Sequence, residues 1–138
     1  MAEWGRNLER LKAAYQEWDA TKGGSIDTWV ALMAENMDLR SLADGRQSLS
    51  FTRPRSGRDE AAAYLRDLTT EFTMEYFRAD RYVCQDDQIV MIGKTAWINK
   101  RTEKHVETPI CDVWQFDGGA AVSLFEYYDT AKLAAAAT

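Results

Sequence analysis

Two carboxylates in the last third of the chain, Asp112 and Glu126, stand where acid–base chemistry could be built. Side chains on a strand alternate between its faces, so Ile110, Asp112, Trp114 and Phe116 share one side. Reading Asp117-Gly118-Gly119 as a three-residue turn sets Asp112 opposite Leu124. Glu126 then lies diagonally across on the same face, about 7–8 Å away. Reading Thr102–His105 as the preceding turn sets Asp112 opposite Thr95, with Trp97 and Asn99 further along that side. Tyr128 completes the face. A slip of one residue would turn all of these side chains to the other side. Two carboxyls among indole and phenol rings have a definite use. Loss of water raises the pKa of one, its neighbour's charge raises it further, and the pair offers an acid and a base at one pH. The competing reading is structural: a strand Asp that accepts a hydrogen bond from an indole or a backbone amide.

The elements that must position this face follow from periodicity and turn residues. Strands are expected at 73–84, 89–101, 106–116 and 121–129, separated by Gln85-Asp86-Asp87, Thr102-Glu103-Lys104 and Asp117-Gly118-Gly119. Upstream, Trp4, Leu8, Leu11, Tyr15 and Trp18 recur at helical spacing, and this first helix ends before Gly23-Gly24. Ser25 is a fitting N-cap for a short second helix that turns Ile26, Trp29, Val30 and Met33 inward. A strand at Met37–Leu42 closes at Asp44-Gly45, and 46–56 reads as an irregular loop. Ser56 with Asp59 makes a capping-box pattern for a third helix, whose stripe is Ala61, Tyr64, Leu65, Leu68 and Phe72. The closing AAAAT reads as a frayed helical tail. The expected fold is therefore α+β, a single domain over 1–138 in which three N-terminal helices cover a strongly curved antiparallel sheet. Long strands coil, and a coiled sheet capped by helices leaves a hollow at its concave side. Tyr15, Trp18 and Trp29 would wall that hollow from the helices.

Composition narrows what the hollow could serve. Aromatic residues make up 12% of the 138 residues, enough to fill a core and still line a pocket for a small apolar ligand. A net charge of −5 repels phosphate backbones, so nucleic acid is not an expected partner. The one basic cluster, Arg53, Arg55 and Arg58, reads as a solvated loop. Cys84 and Cys111 form no CxxC motif and read as small buried hydrophobes. His105 is the only histidine, which argues against a site for a soft metal. The sequence holds no GxSxG, no GxGxxG and no phosphate-cradling glycine loop, so no cofactor is expected. No stretch has the length of a signal peptide or a membrane span, and the expected compartment is the cytoplasm.

Several short motifs carry a family resemblance across nearly the whole chain. They are Tyr15-x-x-Trp-Asp closing the first helix, Trp29-Val-Ala-Leu-Met-Ala-Glu, and Arg55-Ser-Gly-Arg-Asp-Glu-Ala opening the third helix. The most specific are Thr108-Pro-Ile-Cys-Asp-Val-Trp-Gln-Phe-Asp-Gly and Leu124-Phe-Glu-Tyr-Tyr-Asp-Thr-Ala. Together they resemble nuclear transport factor 2-like, or SnoaL-like, domains, and within them the subgroup related to ketosteroid isomerase. The resemblance implies a cone-shaped fold, a pocket inside the cone and a homodimer packed through the sheets. In steroid isomerases an oxyanion-hole Asp follows a Pro-Ile pair, and Asp112 matches it. The general-base Asp of that family falls near Ser41, with Asp38 and Asp44 three residues to either side, and the helix-one tyrosine falls nearer Ala14 than Tyr15. Two of three catalytic positions thus carry other residues, and the resemblance implies the acid rather than steroid isomerisation. Limonene-epoxide-hydrolase-like members use an Asp–Arg–Asp set. Glu126 matches one Asp, while Asn99 and Trp97 stand roughly where the others would be. SnoaL-type polyketide cyclases likewise need a carboxylate and a shaped apolar cavity.

Three functions follow as expectations. The first is a cofactor-independent isomerase, cyclase or hydrolase acting on a small apolar carbonyl, polyketide-like or epoxide substrate. In it Asp112 is the acid/base, Glu126 assists, and Asn99 or Tyr128 positions the substrate. The second is a non-catalytic dimeric module that binds a hydrophobic ligand or a partner. The third is pure dimerisation with the hollow plugged by side chains.

Overall fold

The computed structural model describes residues 3–138. Its first helix, α1 (Glu3–Ala20), buries Leu11, Ala14, Tyr15 and Trp18, a stripe at helical spacing. It stops where Gly23, at φ 86°, returns its N–H to the carbonyl of Trp18 at 3.0 Å, a left-handed cap that a Cβ would strain. α2 (Ile26–Leu32) follows with Ser25 at its N-cap, but the Ser25 hydroxyl makes no capping bond, and the inward residues are Trp29 and Leu32. The chain then runs straight into β1 (Met33–Ser41). A short 3-10 turn (Ser50–Thr52) leads to the two-residue β2 (Arg55–Ser56) and to α3 (Arg58–Glu71). Four long strands come next: β3 (Phe72–Gln85), β4 (Gln88–Asn99), β5 (His105–Asp117) and β6 (Ala120–Tyr128). α4 (Thr130–Ala136) closes the chain.

The sheet has six strands in the order β2-β1-β6-β5-β4-β3. Every pairing is antiparallel except β1 on β6, which is parallel. Irregularities between Met74 and Tyr76, Ala79 and Arg81, and Gln115 and Phe116 break the ladder, and each adds local twist. The bent sheet wraps the helices, and its concave side holds the core, from Phe72 and Met91 through Trp97 to Trp114. The fold is α+β, as the sequence implies. Among the described residues no helix is long and apolar enough to cross a membrane.

Five details depart from expectation, each for a local reason. Trp4 is 48% exposed, because the first turns of α1 meet the β5–β6 turn through polar groups: Asn7 donates to the Gly118 carbonyl at 2.9 Å and Arg10 to that of Gly119. Ser56 caps nothing; its backbone is extended and paired with Asp38, and Gly57 at φ 95° takes the N-cap. Arg55 does not lie in a solvated loop. It is 1% exposed, donating to the Phe51 carbonyl at 2.9 Å and to Asp67 at 2.8 Å, with its guanidinium over the Tyr64 ring. Cys84 and Cys111 are only half-buried: Cys111 lies on the outer side of the sheet, and Cys84 sits at the far end of the inner face, opposite Ile89 at the edge of the core. The alanine-rich end does not fray. Asp129 caps α4 by accepting from the Lys132 N–H at 3.0 Å, Leu133 and Ala136 bury, and Arg101 and Thr102 donate to the carbonyls of Ala137 and Ala136.

Candidate functional site

The register of the last two strands differs from the sequence reading and brings the carboxylates closer. The turn has two residues, Gly118 and Gly119, with Asp117 opposite Ala120, and Val122 is an extra residue at the irregularity beyond it. Each change shifts the pairing by one place, so together they keep the face and set Asp112 directly opposite Glu126 instead of Leu124. On the other side Asp112 pairs with Met91, not with Thr95, which faces Thr108. That shift is also even, so Thr95 and Trp97 keep the inward side.

Asp112 is 2% exposed and held from the helix layer. The Tyr15 hydroxyl donates to its Oδ2 at 2.6 Å, and the Trp114 indole N–H donates to the Tyr15 oxygen at 2.8 Å. The sequence alignment to steroid isomerases favoured Ala14 for the helix-one position; Tyr15 is the residue that reaches the acid. α1 fixes that reach at two points, since Tyr15 stacks on Phe77 with centroids 5.5 Å apart, and Asp19 accepts the Phe77 N–H at 2.9 Å. The second oxygen, Oδ1, is buried without a hydrogen bond of good geometry, and Glu126 is its neighbour in reach. Glu126 has its own hydroxyl partners. It is the cross-strand neighbour of Ser41 on β1, Ser41 bonds the Tyr128 hydroxyl, and the Tyr64 hydroxyl of α3 lies within reach of both Glu126 and Ser41.

Burial, and then the charge of Glu126, pushes the Asp112 carboxyl well above the ordinary range, against the opposing Tyr15 hydrogen bond. Burial also raises Glu126, while hydrogen bonds from Asp112 and Tyr64 hold it down. The pair therefore keeps a proton that separate carboxylates would lose, and Asp112 is the better place for it. Burial and the neighbouring carboxylates push Tyr15 and Tyr64 well above 10, and burial pushes Tyr128 up to about 12, so all three remain donors. The arrangement favours a proton on Asp112 beside the Glu126 carboxylate in apolar surroundings.

The carboxyl pair faces a cavity of about 70 Å³ between helices and sheet. Of the residues read from the sequence, Tyr15, Trp18, Trp29, Thr95, Trp97, Asp112, Trp114, Glu126 and Tyr128 line it. Thr95 contributes little polarity, because its hydroxyl donates to the Tyr76 carbonyl at 2.9 Å. Asn99 is a correction: its side-chain oxygen accepts the N–H groups of Arg101 and Thr102, both at 3.0 Å, so it builds the β4–β5 turn and does not face the cavity. Sequence reading missed the cavity-facing position of Tyr64, taken only as part of a helical stripe, and of Leu133 in the supposed tail. A tyrosine where a phenylalanine would pack equally well was the signal for Tyr64; Leu133 had none. Among the described residues, no three His, Cys, Asp or Glu side chains gather as a metal would need.

Helices laid over the concave side of a bent sheet, with a ring-lined cavity between, define a nuclear transport factor 2-like fold. The chain is similar to an NTF2-like protein of unknown function from Burkholderia pseudomallei, with TM-score 0.83 and 21% identity over 100% of this chain and 99% of that one. It is similar to a proposed polyketide cyclase from Xanthomonas campestris, with TM-score 0.80 and 15% identity over 99% and 100%. It is also similar to a hypothetical protein of ketosteroid isomerase-like fold from Catenulispora acidiphila in complex with trimethylamine, with TM-score 0.71 and 14% identity over 87% and 88%. At these identities the likeness is one of fold. The family is shown by sequence: the chain belongs to the SnoaL-like domain family, whose model matches residues 11–124. No curated protein matches it.

Proposed function

We propose that this SnoaL-like protein is a cofactor-independent enzyme that moves a proton within a small apolar carbonyl compound. The observation that carries the reading is the direct pairing of Asp112 with Glu126 inside a ring-lined cavity, with Tyr15 fixing the acid. Asp112 donates its proton to the carbonyl oxygen while Glu126 takes one from the adjacent carbon. The C–H pair becomes the new C=C bond, the carbonyl becomes an enol, and reprotonation elsewhere completes an isomerisation. The test is exchange of solvent deuterium into the carbon next to the carbonyl of cyclohexenone, followed by NMR. Asp112→Asn and Glu126→Gln are expected to keep the fold and to slow exchange by about 10²- to 10⁴-fold. Exchange at the wild-type rate in the Glu126→Gln protein would remove the base from the mechanism.

A non-catalytic reading draws support from the same rings and carboxyls, and from the trimethylamine held by the Catenulispora relative. A cationic amine would favour the fully ionised pair and bind more tightly as pH rises, whereas a neutral carbonyl needs the proton on Asp112 and binds more weakly as pH rises. We also propose that the outer side of the sheet packs against a second copy of the chain, as the family resemblance implies.

A further inference from the structure

Resting on the carbonyl reading of the cavity, we infer that its occupant is no larger than a single six-membered ring, and that Trp29 sets this limit. A water needs about 10–15 Å³ of such space, so 70 Å³ corresponds to about five to seven waters. An apolar cavity that takes benzene is about 150 Å³. The space in this protein is less than half of that, so even a single ring must press its walls outward, and a steroid or a multi-ring polyketide has no room.

Trp29 is the reason. It descends from α2 onto the sheet and stacks on Trp114 with centroids 5.5 Å apart and ring planes 14° from parallel. Its other contacts are edge-on, to Tyr15 at 4.9 Å and to Trp18 at 6.1 Å. Trp29 and Trp114 both line the cavity, so a second ring fused on that side of the substrate meets this stack. Trp114 and Tyr15 cannot be moved aside without breaking the hydrogen-bond chain to Asp112, because Trp114 donates to Tyr15 and Tyr15 to the acid. Trp29 carries no such bond among those formed at the site. It is thus the residue whose removal enlarges the cavity while leaving the acid in place.

The experiment compares cyclohexenone with its fused two-ring homologue, octalone, by isothermal titration calorimetry on the wild-type protein, Trp29→Phe and Trp29→Ala. Given room, the larger and more apolar ligand binds more tightly, so a preference for the smaller one is a signature of size. The wild type is expected to favour cyclohexenone by about tenfold or more, the Phe variant to narrow the gap, and the Ala variant to reverse it. The Phe variant keeps a ring in the stack and reads the trend if Trp29→Ala fails to fold. Tighter binding of octalone to the wild type, or an order unchanged in both variants, overturns the size limit alone. Binding of neither compound to any of the three proteins overturns the carbonyl reading, and the size limit with it. Turnover is not needed for any of these outcomes.

Discussion

At Asp112 the chemistry of the site and the stability of the protein are one property. Its carboxyl holds a proton in the folded state that it would release in the unfolded chain, because burial and Glu126 raise its pKa. A raised pKa means that the folded state binds more protons than the unfolded state at every pH between the two values. Stability is then greatest below the unfolded carboxyl pKa, about 3.9, and declines as pH climbs toward the folded value. Glu126 is shifted in the same direction and adds to the slope. Asn at position 112 is the isostere of the protonated form: its oxygen accepts from Tyr15 and its amide donates to Glu126. Calorimetry of wild type and Asp112→Asn should show melting temperatures that nearly coincide at about pH 4 and a variant that melts progressively higher toward pH 7. For a chain of 138 residues each 1 kcal/mol gained appears as about 4 °C. A gap that stays constant with pH would mean that folding does not raise the Asp112 pKa.

Among the elements, the long strands were legible because charged and glycine-rich turns punctuate alternating apolar runs, and the boundaries agree within a few residues. The inward face was legible too, although both registers were not. Bulges and turn lengths shift register, but the shifts here are even, and parity alone decides which side faces the core. The parallel pairing of β1 with β6 has no local signal, so the approach of Ser41 to Glu126 could not be read in advance. Nor could the β3–β4 bend at Gly93. A Cβ there would lie 1.9 Å from the Arg78 carbonyl oxygen, so only glycine lets β3 coil inward and carry Phe77 to Tyr15. Gly93→Ala must push β3 away. Its expected cost is at or above the top of the about 1–3 kcal/mol usual for overpacking, measured by urea unfolding. A variant as stable as wild type would show that β3 has freedom to move.

On the scale of the whole molecule, the cavity explains the concave side and leaves the convex side to be accounted for. Cross-strand neighbours there form two apolar rows, Val83–Val90–Val113–Phe125 and, beside it, Ile92–Cys111–Tyr127. Val83 is 51% exposed and Tyr127 43%, and the Phe125 and Tyr127 rings lean together at 4.6 Å. Four strands spaced about 4.8 Å and about 40 Å long present roughly 700–800 Å². A stable partner buries about 800 Å² on each side, so the convex face has the area for a second copy. The flanking charges suit a rim: Lys94 pairs with Glu107 at 3.2 Å, and Arg78 with Asp80 at 2.7 Å, outside the apolar rows. Sedimentation equilibrium should return twice the chain mass of 15.7 kDa for the wild type and the single-chain mass for Phe125→Glu, which sets a charge in the middle of the row. Because Phe125 points away from the cavity, the monomeric variant should still bind cyclohexenone. A wild type that sediments as one chain at every concentration would leave the apolar rows without a partner copy.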